Sequence, residues 1–190
     1  NPHAIQKLVY SLLSKERLLE MISSFIVFEK STKKVARHQQ YFAIKETLKR
    51  VQSSSEGARA GGLIWHTQGS GKSLTMSLLA TELKRAIPKA KIIVVTDRKD
   101  LDTQIHKVFG NVGIRVSQAR SGVHLRELLS SGVSVITTLV HKFESLKDQV
   151  IEESRDIFVL VDEAHRTQGG ELHQCMKKVF PNGCFHMSST

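Results

Sequence analysis

Residues 69–73 read Gly-Ser-Gly-Lys-Ser, and residues 162–163, about ninety positions later, read Asp-Glu at the end of an aliphatic run. The two glycines let successive backbone N–H groups turn inward around an anion, and the helix expected to follow points its positive end at the same place. Lys72 supplies a point charge for β- and γ-phosphates, and the Ser73 hydroxyl is placed to ligate magnesium. Asp162 is suited to hold the water shell of that metal, and Glu163 to orient or deprotonate an attacking water. In this order the two segments describe a site that binds a nucleoside triphosphate with Mg2+ and activates water against it.

Those groups need rigid supports. Leu63, Ile64 and Trp65 read as a short buried strand entering the loop, and Leu74, Leu78, Leu79 and Leu83 recur at helical spacing after it. Ile157, Val159, Leu160 and Val161 predict a central strand that ends at the carboxylates. Between these lie further strand-like runs at residues 92–96, 114–116 and 133–138. Helical patterns follow each of them, through Leu101, Ile105, Val108 and Phe109, through Leu125, Leu128 and Leu129, and through Phe143 and Leu146. A helix over residues 172–179 and a strand over 184–187 complete the series. Alternating helices and fully apolar strands argue for a parallel sheet covered on both faces, which gathers ligands at the C-terminal strand ends. The expected fold is a RecA-like P-loop NTPase domain of the α/β class. One position departs from the common phosphate-loop pattern: six residues before the lysine stands His66 instead of glycine. Helicase-type motors often carry another residue there, so the departure points toward that branch.

Residues 1–30 differ from the rest. Ile5, Leu8, Leu12 and Leu19 mark an amphipathic helix, widened by Leu18 and Met21, and a short apolar run (residues 25–28) precedes a charged stretch (30–34). They are expected to form a helical connector, with the α/β domain over 31–190 and a polar loop at 53–57 just before its first strand.

Composition narrows the class. At 190 residues the chain can bury one substantial core, and 40% apolar content is that of a globular protein. Its 28 basic and 18 acidic residues give a net charge of +10, which favours a polyanionic partner, although a basic surface also serves solubility. No apolar run reaches membrane-spanning length and no charged-then-apolar leader is present, so no membrane partner is expected. The cysteines Cys175 and Cys184 make no disulfide framework and suit a reducing, cytoplasmic setting. His165, His173 and Cys175 together match no familiar zinc spacing.

Five segments occur in order: Arg-His-Gln-Gln-Tyr-Phe-Ala-Ile (37–44), Trp-His-Thr-Gln-Gly-Ser-Gly-Lys-Ser (65–73), Thr-Asp-Arg-Lys-Asp-Leu-Asp-Thr-Gln (96–104), Ile-Thr-Thr-Leu-Val-His-Lys-Phe (136–143) and Asp-Glu-Ala-His-Arg-Thr-Gln (162–168). Over roughly residues 20–190 this series resembles the first motor domain of the restriction subunit of type I restriction-modification enzymes, which are superfamily 2 helicase-like translocases. The resemblance implies ATP and Mg2+ as cofactors. It implies an ATP site of Arg37, Gln40, Thr67, Gln68, Gly69, Ser70, Gly71, Lys72 and Ser73. Gln40 would read the adenine edge, with Gln39 as its competitor, and Arg37 would sit beside the base. A solvated helix-face glutamine is the plainer alternative. His165 would couple nucleotide state to the DNA-side motifs, against the plainer reading of a satisfied core histidine. Arg98 and Lys99 would face the DNA backbone, with Thr137, Thr138 and Lys142 as a second contact region; each basic residue could equally be a solvated charge.

The implied partners are double-stranded DNA and the methyltransferase and specificity subunits of a type I complex, the latter reading the DNA sequence. The implied enzyme is an ATP-dependent type I site-specific deoxyribonuclease motor. No Glu-x-Lys or Asp-x-Lys metal-site pattern in a suitable strand context occurs before residue 60, so the nuclease site is expected outside these 190 residues. With residues 188–190 reading Ser-Ser-Thr where the first lobe's coupling motif begins, the chain reads as a fragment with little hydrolysis of its own, lacking the arginine of a second lobe. Two alternatives remain: another superfamily 2 helicase or remodeller, against which the 97–102 segment argues, and a non-motor P-loop protein, a kinase or a binding switch.

Overall fold

The computed structural model describes residues 2–29, 31–53, 59–65, 67, 69–97, 105–106, 108–110, 113–146, 149–162 and 171–189. Two helices come first, α1 (Pro2–Leu13) and α2 (Lys15–Ser24). An antiparallel hairpin follows, β1 (Ile26–Glu29) paired with β2 (Thr32–Val35) in the register Ile26↔Val35. The apolar run at 25–28 thus falls largely on one strand of a hairpin, and Thr32, Lys33 and Lys34 of the charged stretch on the other. Helix α3 (His38–Ser53) packs beside it, and Phe25, Val27 and Ala36 share a core with Tyr41 and Ile44 of that helix.

Six strands then form one parallel sheet: β3 (Gly62–Trp65), β4 (Lys91–Thr96), β5 (Ser117–Gln118), β6 (Val135–Leu139), β7 (Ile157–Val161) and β8 (Cys184–Ser189), in the spatial order β3-β8-β7-β4-β6-β5. The connecting helices are α4 (Lys72–Ala86), α5 (Gly122–Ser130) and α6 (Glu171–Val179), with a 3-10 helix at Val140–Leu146. This is the doubly covered parallel sheet expected of a RecA-like domain.

Strand periodicity divides the interior in two. Ile92, Val94, Phe158, Leu160 and Cys184 face the core under α3 and α4. Ile93, Val95, Ile136, Ile157, Val159, Val161 and Phe185 face the other, with Leu125, Leu129, Phe143, Met176 and Val179. All residues of β7 are buried, as the unbroken apolar run predicts for a central strand.

Several local expectations change. The strand expected at 114–116 lies at Ser117–Gln118, and the turn through Phe143 and Leu146 is 3-10. Trp65 is 69% exposed and Leu63 52% exposed, because β3 is an edge strand whose outward-alternating side chains meet no covering helix among the described residues.

Candidate functional site

The loop between β3 and α4 is shaped by two left-handed glycines, Gly69 (φ 73) and Gly71 (φ 85). Its tight turn is closed by the Ser70 N–H donating to the Thr67 carbonyl at 3.2 Å. Gly71 is the N-cap of α4 and brings no side-chain cap to the first-turn amides, whereas α5 begins with Ser121, whose hydroxyl accepts the His124 N–H at 3.1 Å. An N-terminus left this way is a ready anion site. Lys72 and Ser73 are the first two residues of α4, both half-buried. The Ser70 hydroxyl is buried and has no partner among the described residues. Open amides, a spare hydroxyl and a lysine form a donor set that fits a phosphate chain.

Gln40 fastens this loop from behind. It is 3% exposed; its Oε1 accepts the Arg37 N–H at 2.8 Å, and its Nε2 donates to the carbonyls of Ser70 (3.2 Å) and Gly71 (3.1 Å). That orientation is the one in which every donor meets an acceptor, since Arg37 offers an N–H and the loop offers two carbonyls. Both amide hydrogens are therefore engaged on the loop, and one Oε1 lone pair remains for a base. A Cβ on Gly71 would stand 2.9 Å from Nε2, so glycine is needed there for contact as well as conformation.

The acidic end of the site follows from strand parity. Phe158 and Leu160 face α4, and Asp162, two residues on, continues on that face; its N–H donates to Val95 O at 2.9 Å, extending the parallel ladder by one residue. Val161 is level with Met187, and Trp65 with Ser189, so the end of β7 and the start of the phosphate loop share one sheet edge. They are separated by two strand spacings, roughly 10 Å. Asp162 is 4% exposed. A carboxylate at the C-terminal end of β7 suits a hard divalent cation that keeps several waters.

A cleft of about 720 Å3 runs along the free edge of β3, lined at its upper end by Arg37, Gln40, Trp65, Thr67 and Ser70. At its lower end His186 is 3% exposed, with Nε2 3.3 Å from Cys184 Sγ and Nδ1 without a partner among the described residues. Burial, helped by the charge of Arg50, pulls the His186 pKa down to about 4, and burial pushes the Cys184 thiol up to about 11. Both are neutral near pH 7.

Gln68, Arg98, Lys99, Glu163 and His165, together with His66, lie outside the described residues. Thr137 and Thr138 sit within β6 and are fully buried. Lys142 is half-buried and its Nζ donates to the Ala119 carbonyl. Among the described residues no group of three or more His, Cys, Asp or Glu could hold a metal by itself. No helix among them is long and apolar enough to cross a membrane. Sequence reasoning passed over Thr96, a fully buried residue that ends β4 one position past Val95, which pairs with Val161 and accepts the Asp162 N–H. Its signal was present: like Asp162, it is a polar residue closing an apolar strand run.

The family model of the SWI2/SNF2 ATPases matches residues 39–187. The type I restriction enzyme HindI endonuclease subunit of Haemophilus influenzae is 35% identical over 94% of this chain and 19% of its own length. A putative type I restriction enzyme MpnIIP endonuclease subunit, C-terminal part, of Mycoplasma pneumoniae is 31% identical over 93% of this chain and 94% of its own. The SWI2/SNF2 ATPase core of Sulfolobus solfataricus, solved in complex with double-stranded DNA, superposes with a TM-score of 0.60 at 13% identity, covering 90% of this chain and 34% of that one. The chain thus spans about a fifth of the length of the H. influenzae subunit it matches.

Proposed function

The chain belongs to the SWI2/SNF2 ATPases, and is a relative of type I restriction endonuclease subunits, and from that premise we propose that it is the ATP-binding lobe of a DNA translocase that powers restriction. The observation that carries this reading is convergence. Lys72 and Ser73 at the open N-terminus of α4, and Asp162 at the end of β7, lie on one face and one edge of the sheet.

In this reading the loop amides, Lys72 and the Ser70 hydroxyl hold the phosphates of ATP, while Arg37 and the free lone pair of Gln40 Oε1 meet the base. Ser73 and Asp162 would hold Mg2+, which supplies charge neutralisation on the phosphates. Glu163, the next residue, takes the proton of the attacking water, and His165 links the site to the DNA side. Arg98, Lys99 and Lys142 contact the DNA backbone, with no reading of bases, as movement along any sequence requires. Double-stranded DNA and the methyltransferase and specificity subunits are the proposed partners, in the cytoplasm.

Two substitutions in the full-length protein test the assignment. Lys72→Ala removes the charge on the phosphates, so ATP binding and DNA-stimulated hydrolysis both fall. Glu163→Gln keeps shape and metal holding, so ATP affinity stays while hydrolysis drops by roughly 10² or more. Equilibrium nucleotide binding and phosphate release separate the two. Normal turnover by Glu163→Gln, or wild-type affinity in Lys72→Ala, would contradict the assigned roles.

A further inference from the structure

The phosphate loop hangs on Gln40, so whatever sets the position of α3 also sets the loop. Tyr41, the next residue, is 3% exposed, and its ring meets Phe25 edge-on at 4.9 Å between centroids. Its hydroxyl donates to Glu20 Oε2 at 2.6 Å, and one helical turn later Lys45 Nζ donates to Glu20 Oε1 at 2.6 Å. One carboxylate of α2 thus grips two side chains of α3 at i and i+4. Such a grip resists both rotation of the helix and sliding along its axis, where a one-residue step is about 1.5 Å. Bonds this short to an ionised acceptor are among the stronger kinds.

The charge states support the grip. Burial alone would raise the Glu20 pKa, but hydrogen bonds from Lys45 and Tyr41 and the charge of Lys45 outweigh it and leave the carboxyl below its ordinary value. Burial and the Glu20 contact push the Tyr41 hydroxyl up to about 12, so it remains a donor. Arg17 stands over the Phe42 ring at 5.5 Å and adds positive charge near Glu20.

We propose that Glu20 is a positioning residue for the nucleotide loop: through Tyr41 and Lys45 it fixes α3, and through Gln40 it fixes the carbonyls of Ser70 and Gly71. This rests on the ATP-site reading above. Helix α2, which the sequence marks only as part of a connector, becomes part of the machinery that holds the phosphate loop. A displaced Gln40 would free both carbonyls and let the loop amides turn away from an anion.

The test measures affinity of the full-length protein for Mg-ADP carrying a fluorescent ribose group, well below the melting temperature, together with KM and kcat for ATP. Glu20→Ala is expected to weaken binding and raise KM roughly tenfold, with kcat changed by less than about twofold. Tyr41→Phe removes one hydroxyl and gives a smaller loss. Glu20→Gln keeps an acceptor and recovers part of the affinity. Met176→Ala, in the opposite core, lowers the melting temperature but leaves affinity at the wild-type value. The proposal is overturned if both Glu20→Ala and Tyr41→Phe bind as wild type, or if Met176→Ala weakens binding as much as Glu20→Ala. Should Glu20→Ala not fold, Tyr41→Phe alone decides. Lys72→Ala separates the two failures: weak binding there with normal binding in the Glu20 and Tyr41 variants removes only the relay, and normal binding there removes the site.

Discussion

On β7 the side chains of Ile157, Val159 and Val161 enter one core and those of Phe158 and Leu160 the other, and all five are buried. The two faces differ in how their strands end. Toward α3 and α4, β4 ends in Thr96 and β7 runs on to Asp162, and β8 carries His186. Toward α6 the corresponding positions are Val95, Val161 and Phe185. Equal burial therefore hides unequal chemistry. A period of two decides which face a carboxylate joins, and here it joins the face of α4, whose N-terminus has no side-chain cap, whereas α5 on the other face is capped by Ser121.

The largest effect should come from moving that carboxylate across the sheet. Exchanging the pair, Val161→Asp with Asp162→Val, places a charge in the core of α5 and α6 without a partner. The expected loss is about 4 kcal/mol or more, read as a collapse of the urea midpoint. Asp162→Asn alone should keep a midpoint near wild type. A double exchange that folds normally would mean the faces are not distinct.

Next comes the histidine buried beneath the site. With its folded pKa near 4 against an ordinary 6.5, the unfolded chain binds more protons across that interval. Stability attributable to His186 is thus intact above about pH 6.5 and lost as pH falls toward 4, by about 3 kcal/mol in total. His186→Gln should remove that component, flattening the difference between unfolding curves at pH 7 and pH 4.5. An identical acid response in the variant would show that His186 does not resist protonation.

A smaller and more local effect distinguishes the two loop glycines. Alanine at either left-handed position costs roughly 1 kcal/mol of backbone strain. At Gly71 the added Cβ also meets Gln40 Nε2 at 2.9 Å, while at Gly69 it meets nothing within 4 Å among the described residues. Gly71→Ala should therefore weaken nucleotide binding clearly more than Gly69→Ala. Equal losses would remove the Gln40 contact from the account.

The strands under the site were legible because an all-apolar run ending in a polar residue states both burial and chemistry; residues 157–162 and 92–96 are of that kind. The phosphate loop was legible through its glycines and lysine. Exposure of Leu63 and Trp65 was not, because alternation says that a residue sits in a strand, not whether a neighbour covers it. Burial of Thr137 and Thr138 was missed for the reverse reason: a hydroxyl in the sequence looks polar, while its depth is set by strands on either side. Glu20 and Tyr41 lie 21 positions apart, and no periodicity connects residues across a helix break and a hairpin. Gln40 was found by resemblance, but its hold on Ser70 and Gly71 comes from packing that only the fold supplies.

Lys72 and Asp162, 90 positions apart in the chain, should meet on one magnesium-bound triphosphate. Calorimetric titration of ATP into wild type and Asp162→Asn, each with Mg2+ and with a chelator, addresses it directly. Wild type should bind clearly more tightly with Mg2+, and Asp162→Asn should bind ATP about equally with and without the metal. A magnesium dependence unchanged by Asp162→Asn would contradict the account.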